Sequence, residues 1–473
     1  LLRKENENRR NQQAIISVDE LVPENHLVRK VDAAINFDFV YALVEDKYCK
    51  DNGRPSVDPV VLIKIVLIQY LFGIKSMRQT IREIETNVAY RWFLGYDFTD
   101  KIPHFSTFGK NYVRRFKDTN IFEAIFVQVL EEAAKHGLID PEVLFIDSTH
   151  IKASANKKKL IKKHVVQESR SYQEQLDKEI DEDRKAHGKE PLKERTEQKK
   201  LKEVKESTTD PDSGYFVKNE KERVFAYSLH AASDRYGYIL HPVVTPGNIH
   251  DSQVLDEVLN PIEERFGKPK AVVLDAGYKT PYICKRLIDS EIRPVLPYKR
   301  PQGKKGFLSP HEYVYDEYYD CYICPANKIL EYKTTNRNGY REYHSDPNTC
   351  VNCEFLSQCT ESKNYKKVVS RHIWKHYLEE ADHLRHTTYN KKVYKRRKET
   401  IERVFGDLKE KHGMRWTTLR GLEKVTMQAL LVCTAMNLKK MANRLWKQPP
   451  GSPGLFVFDL LTSFFRKKTS CFA

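Results

Sequence analysis

Three acidic residues stand where the surrounding sequence makes an acid costly. Asp147 ends the run Val143-Leu144-Phe145-Ile146, apolar throughout and rich in β-branched and aromatic side chains, which predicts a strand covered on both faces. An ionised carboxylate at the end of such a strand needs a partner or a cation. Asp275 ends a second run of this kind, Ala271-Val272-Val273-Leu274, and Gly277 after it permits a sharp turn or the close approach of a ligand. Either aspartate alone also fits a turn residue or a helix N-cap. The third acid, Glu402, lies beside Ile401, Val404, Phe405 and Leu408, whose spacing is one apolar face of an amphipathic helix predicted over 391–412. Lys398 and Lys409 fall on the same side as Glu402, where they can hold phosphates, and the alternative is a solvated Glu-Lys face. Together Asp147, Asp275 and Glu402 describe an oxygen-only donor set for two magnesium ions, about 4 Å apart, one activating the attacking oxygen and one stabilising the leaving oxygen. Phosphodiester chemistry asks for little more, because positioning and charge neutralisation dominate it.

In their settings Ile146-Asp147-Ser148-Thr149, Leu274-Asp275-Ala276-Gly277-Tyr278 and Ile401-Glu402 onward to Lys409, the three acids resemble the DDE transposases of bacterial insertion sequences. Further stretches resemble landmarks of the same group: 207–212, 247–252, 419–425 and Asn437-Leu438-Lys439-Lys440. Upstream, 21–26, 53–55 and 103–108 resemble the amino-terminal domain of InsH-type transposases, so the resemblance covers roughly residues 20 to 445. A related branch carries the pattern Tyr-x2-Arg-x3-Glu-x6-Lys. Here Glu402 and Lys409 keep their spacing, whereas Tyr394 and Arg397 are out by one residue. In an unbroken helix they lie about 80 and 140 degrees from Glu402. Either Lys395 and Lys398 replace them, or a helix bulge corrects the phase.

The resemblance implies an α/β chain with a ribonuclease H-like mixed sheet flanked by helices, an all-helical N-terminal domain and a small Cys-rich insertion. It implies cut-and-paste chemistry on double-stranded DNA: binding of terminal inverted repeats, hydrolysis, then joining of the 3′-hydroxyl to target DNA. The cofactor implied is Mg2+, as two ions held by Asp147, Asp275 and Glu402, with Mn2+ as a substitute. Lys409, Lys398, Arg397 and Tyr394 would contact DNA, and two ends processed together imply a homodimer or larger synaptic complex. A ribonuclease H-like nuclease without strand transfer, or an inactive DNA-binding relic, are the alternatives.

Composition agrees with a polyanionic partner. Lys and Arg number 81 against 65 Asp and Glu, a formal net charge of +16, and binding should weaken with salt through counterion release. No apolar run reaches the roughly 18 residues of a membrane span, and residues 1–13 carry no signal-peptide core. A cytoplasmic, nucleoid-associated protein of a bacterium is the expectation. The chain begins on Leu1, which fits a fragment or an alternative start codon.

The expected division is a helical DNA-binding domain over 1–138, the first part of the catalytic domain over 139–309 with a charged insertion at 156–220, a Cys-rich insertion at 310–365, the final catalytic helices at 366–446 and a tail at 447–473. In the first, helices are predicted over 60–70, 77–96 and 122–136, and Arg78, Arg82, Arg91, Lys110, Arg114 and Arg115 offer phosphate contacts. The charged insertion, with Lys157, Lys158, Lys159, Lys162 and Lys163, reads as a helical or partly disordered segment. Runs at 224–232 and 238–245 flank a turn at 234–237 and predict a hairpin, followed by a helix at 251–259 with Asp251 as its N-cap; His250 and Asp251 are kept out of the site. Cys321-x2-Cys324 and Cys350-x2-Cys353 have the spacing of a structural zinc site, with Cys359 close behind; reduced cytosolic thiols are the alternative. Trp416 suits either packing or stacking on an unpaired base. An apolar segment at 455–465 predicts a docked helix or a partner contact.

Overall fold

The run ending on Asp147 is strand β1 (Val143–Lys152), in a computed structural model that describes residues 13, 15–49, 56–166, 172–193, 201–217, 222–299 and 303–447. The landmark at 53–55 and the apolar tail segment lie outside the described residues. After β1 comes a two-stranded antiparallel sheet, β2 (Leu160–Val166) with β3 (Leu201–Ser207), then β4 (Gly214–Val217), β5 (Arg223–Ser233), β6 (Ile239–Pro246), β7 (Ala271–Val273) and β8 (Arg293–Val295). The main sheet runs β4-β5-β1-β7-β8, with β6 sharing the outer edge of β5 with β4. β5 is antiparallel to β1, while β7 and β8 are parallel to it, so the sheet is mixed. β5 is buried along nearly its whole length, and helices Leu255–Phe266 and Pro281–Asp289 precede β7 and β8 as parallel connections require.

The amino-terminal region is helical, as its spacing predicts, with one difference. The stretch 77–96 is two helices, Met77–Thr86 and Val88–Leu94, because Asn87 caps the second through Ala89 N–H at 2.9 Å. Helix Pro59–Leu71 is apolar nearly all round and is buried accordingly. It packs, with helices Leu27–Ala34 and Ile121–Lys135 and with β6, against the long helix Leu422–Leu445. The amino-terminal helices and the mixed sheet therefore share one continuous apolar core.

Several landmarks are the fasteners of that arrangement. Asp210 Oδ1 accepts from the Tyr227 hydroxyl at 2.8 Å and from Gly421 N–H at 3.0 Å, and Asp212 Oδ2 accepts from Leu422 N–H at 2.9 Å. Two acids at the start of the long helix satisfy its unpaired amides and suit its dipole. Near the other end, Asn437 bonds both backbone groups of Ile239, at 2.9 and 2.8 Å, while Lys439 donates to Leu71 O at 3.2 Å. In the hairpin turn, buried Asp234 accepts from Tyr236, Tyr238 and Asp140 amides at 2.9, 2.8 and 3.0 Å.

The charged stretch 156–220 is more ordered than its composition suggests. Besides the β2–β3 pair it holds, between those strands, helix Gln173–Ala186, whose Leu176 and Ile180 pack on Trp374. Few apolar residues suffice here because the helix does not build its own core. Asp183 ties it to Arg341 at 2.8 Å on a second sheet, antiparallel, of β9 (Val314–Asp316), β10 (Cys321–Ile323), β11 (Ile329–Thr335), β12 (Tyr340–Ser345) and β13 (Val368–His372).

Candidate functional site

Strand register sets the two aspartates level. Phe145 of β1 pairs with Val273 of β7, and Asp147 and Asp275 each lie two residues further on. Neighbouring strands are about 4.8 Å apart, so the two carboxylates emerge side by side within the parallel part of the sheet. Burial pushes the Asp147 carboxyl up to about 6, against the pull of the Arg397 guanidinium, and Asp275 raises it further. Arg397 Nη2 stands 2.5 Å from Asp147 Oδ2, both side chains being nearly buried. Gly277 N–H donates to Asp275 Oδ1 at 2.7 Å.

Arg397 reaches Asp147 because the predicted continuous helix is broken. Helix Thr388–Lys395 tightens into a single turn of 3-10 helix at Arg396–Lys398, and helix Ile401–Glu410 starts afresh after Thr400, whose ψ is −101°. The phase of an unbroken helix therefore does not apply. The Tyr394 hydroxyl bonds the Arg397 guanidinium, while Lys395 and Lys398 are exposed. Ile401, Val404, Phe405 and Leu408 bury the new helix, which lies against β1. Glu402 is exposed in its first turn and, among the described residues, makes no hydrogen bond or ion pair. Lys409 is half-buried in its last turn.

A further acid joins the two aspartates. Asp251 is not the cap of its helix: His250 fills that role, its Nδ1 accepting Ser252 N–H at 3.2 Å, in a 3-10 turn ahead of helix Leu255–Phe266. Asp251 instead turns inward. A Cβ placed on Gly277 would stand 3.0 Å from Asp275 Oδ1 and 3.4 Å from Asp251 Oδ2, so a side chain here would crowd the gap between these carboxylates. Burial raises the Asp251 carboxyl, and the Ser148 side chain bonded to it draws it back. Behind it, burial pushes the His230 imidazole down to about 4, leaving it neutral with Nδ1 3.6 Å from Asp251 Oδ1. Among the described residues the buried Tyr278 hydroxyl has no hydrogen-bond partner, and it lies in the field of Asp251, Asp147 and Asp275. Sequence spacing offered little signal for Asp251, since an Asp before a helix is most simply a cap.

This oxygen-only donor set suits a hard divalent cation in its chemistry. As the side chains stand, no three His, Cys, Asp or Glu among the described residues are grouped to hold an ion. Arg397 occupies Asp147, and Glu402 has not joined the pair.

The cysteines do not divide as their spacing predicts. Cys321 lies within β10 and lines a cleft with His187 and Asp320, whereas Cys324, Cys350, Cys353 and Cys359 line another cavity. Side chains alternate along a strand, so Cys321 faces away from its neighbour Tyr322. The expected set of Cys321, Cys324, Cys350 and Cys353 is thus not brought together. Arg91 is likewise spent within the fold, its guanidinium bonding the carbonyls of Glu85, Asp97 and Asp100 at 3.3, 2.7 and 3.1 Å. Trp416 is 52% exposed, so it is not a core residue, and its neighbours pair with Lys152 at the end of β1. No described helix is long and apolar enough to cross a membrane.

Two level aspartates where the parallel strands of a mixed sheet meet, with a third nearby and in a strongly basic chain, have the character of an enzyme acting on phosphodiesters. Residues 323–442 match the transposase DDE domain family, and residues 16–114 match the transposase domain family DUF772. These two matches, at opposite ends of the chain, support a DDE transposase of an insertion-sequence type. The DDE match contains Glu402 and Lys409, and Asp147 and Asp275 lie upstream of it. No curated protein matches the chain.

Proposed function

We propose that Asp147, Asp275 and Glu402 are the catalytic acids of this transposase, in a ribonuclease H-like domain, and that the chain binds the terminal inverted repeats of its element, cuts them and joins the 3′-hydroxyl ends to target DNA. The observation that carries this reading is the level placement of Asp147, on β1, and Asp275, two residues past the end of the adjacent parallel strand β7. The sheet order supports the fold assignment, with the first acid on the central strand, the second after its parallel neighbour and the third on a later helix against that strand. We assign 1–138 to DNA binding, 139–309 and 366–446 to catalysis, 310–365 to a Cys-rich insertion and 447–473 to a tail, the helical region sharing its core with the catalytic part.

Asp147, Asp275 and Glu402 would hold magnesium, or manganese in its place, and two such ions supply activation of the attacking oxygen and charge stabilisation on the leaving one. Arg397 keeps Asp147 ionised and fixed while the site is open. Tyr394 orients Arg397. Lys409 and Lys398 hold phosphates near the scissile bond, and Gly277 keeps space between Asp275 and Asp251. Two ends cut together call for a homodimer or larger assembly on DNA, in the bacterial cytoplasm at the nucleoid. The test is incubation of the protein with magnesium and labelled DNA carrying the element's ends. Cut ends joined to a target plasmid support the reading; cutting without joining would favour a nuclease, and binding without cutting a relic.

A further inference from the structure

We propose that Cys324, Cys350, Cys353 and Cys359, without Cys321, form a tetrathiolate site for a zinc-class cation that staples the five-stranded insertion. These four thiols line one cavity of about 260 Å³, although they come from separate turns. Cys324 opens a tight turn in which Asn327 N–H donates to Cys324 O at 2.8 Å, Asn327 takes a left-handed φ of 55°, and Lys328 N–H donates to Cys324 Sγ at 3.3 Å. An amide aimed at sulfur favours the thiolate, the form that binds metal. Across the cavity, Cys353 N–H donates to Cys350 O at 3.1 Å, closing a turn between two residues that both line it, and Cys359 ends the one-turn helix Leu356–Cys359. The Tyr313 hydroxyl lies 3.2 Å from Cys359 Sγ, and the Cys350 thiol donates to Ser345 Oγ at 3.2 Å.

Two observations favour a cation there. This module's own buried core is four residues, Tyr313, Tyr322, Leu330 and Tyr343, too few to hold a sheet by burial alone. Lys328 and Lys367 line the same cavity and offset the charge of four thiolates around a divalent ion. The sulfurs surround the space without yet converging, in keeping with the lack of a grouped metal set among the described residues. Bonds of about 2.3 Å to a tetrahedral ion draw the one-turn helices at Cys350 and Cys359 inward.

The test is metal analysis of the full-length protein purified without chelator, beside single Ser variants of the five cysteines. One equivalent of zinc per chain is expected, kept in Cys321→Ser and lost or halved in Cys324→Ser, Cys350→Ser, Cys353→Ser and Cys359→Ser. Because misfolding alone would also cost a variant its metal, the wild-type protein is also stripped and titrated with cobalt(II). Intense thiolate charge-transfer bands with a tetrahedral visible spectrum are expected. Absence of zinc together with absence of those bands overturns the proposal, as does loss of zinc in Cys321→Ser with retention in Cys359→Ser.

Discussion

Between Asp275 and Asp251 the decisive residue has no side chain. Gly277→Ala would place a methyl group 3.0 and 3.4 Å from the two carboxylates. Cleavage should fall by about 10²-fold, the cost of a displacement of about 1 Å in an active site, with the melting temperature little changed; a variant that cuts at the wild-type rate would remove the crowding argument. The aspartates themselves were legible in the sequence because each interrupts an apolar run, an anomaly that needs no knowledge of the fold. Asp251 was hidden because an acid beside a helix start has an ordinary explanation. Tyr278 was hidden too, for only the packed structure shows a hydroxyl left without a partner.

The 388–410 segment shows where spacing fails at the level of an element. Its apolar stripe identified the helix, yet the break at Thr400 is set by packing against β1 and by the Arg397–Asp147 pair, which no local pattern records. At the other end of the fold, Asp210→Ala would strip partners from both the Tyr227 hydroxyl and Gly421 N–H. A loss of about 1–3 kcal/mol is expected in denaturant unfolding, as a buried hydroxyl and a part-buried amide lose their bonds. The hairpin turn carries a pH signature. Burial raises the Asp234 carboxyl to about 6 despite the amides that bind it. Its raised value means a contribution to stability that is full below its unfolded pKa of about 4 and is lost as pH rises through about 6. Asp234→Asn should therefore gain stability relative to the wild type between pH 4 and 7, by up to about 3 kcal/mol, read from melting curves across that range. A difference that is flat with pH would contradict the assignment.

Across the whole molecule, charge and connectivity separate. The net charge of +16 marks the partner class, and Lys398→Ala should weaken DNA binding at every sequence and lower the slope of log affinity against log salt by about 0.9. Arg91→Ala should instead cost about 1–3 kcal/mol of stability, with DNA affinity of the folded protein unchanged, because its donors are spent on carbonyls. From sequence these two cations look alike. Nor does sequence reveal that the amino-terminal helices and the mixed sheet share a core, or that the Tyr112 hydroxyl bonded to Glu423 at 2.6 Å and His412 bonded to Tyr70 O at 2.7 Å tie those helices to the C-terminal ones. The measurement that bears most directly on the catalytic acids is single-turnover cleavage of end DNA with magnesium by Asp147→Asn, Asp275→Asn and Glu402→Gln, with DNA binding measured in parallel. Loss of about 10²–10³-fold or more in each, at unchanged affinity, is the predicted result. Wild-type cleavage by Glu402→Gln, or by either aspartate variant, would contradict the site.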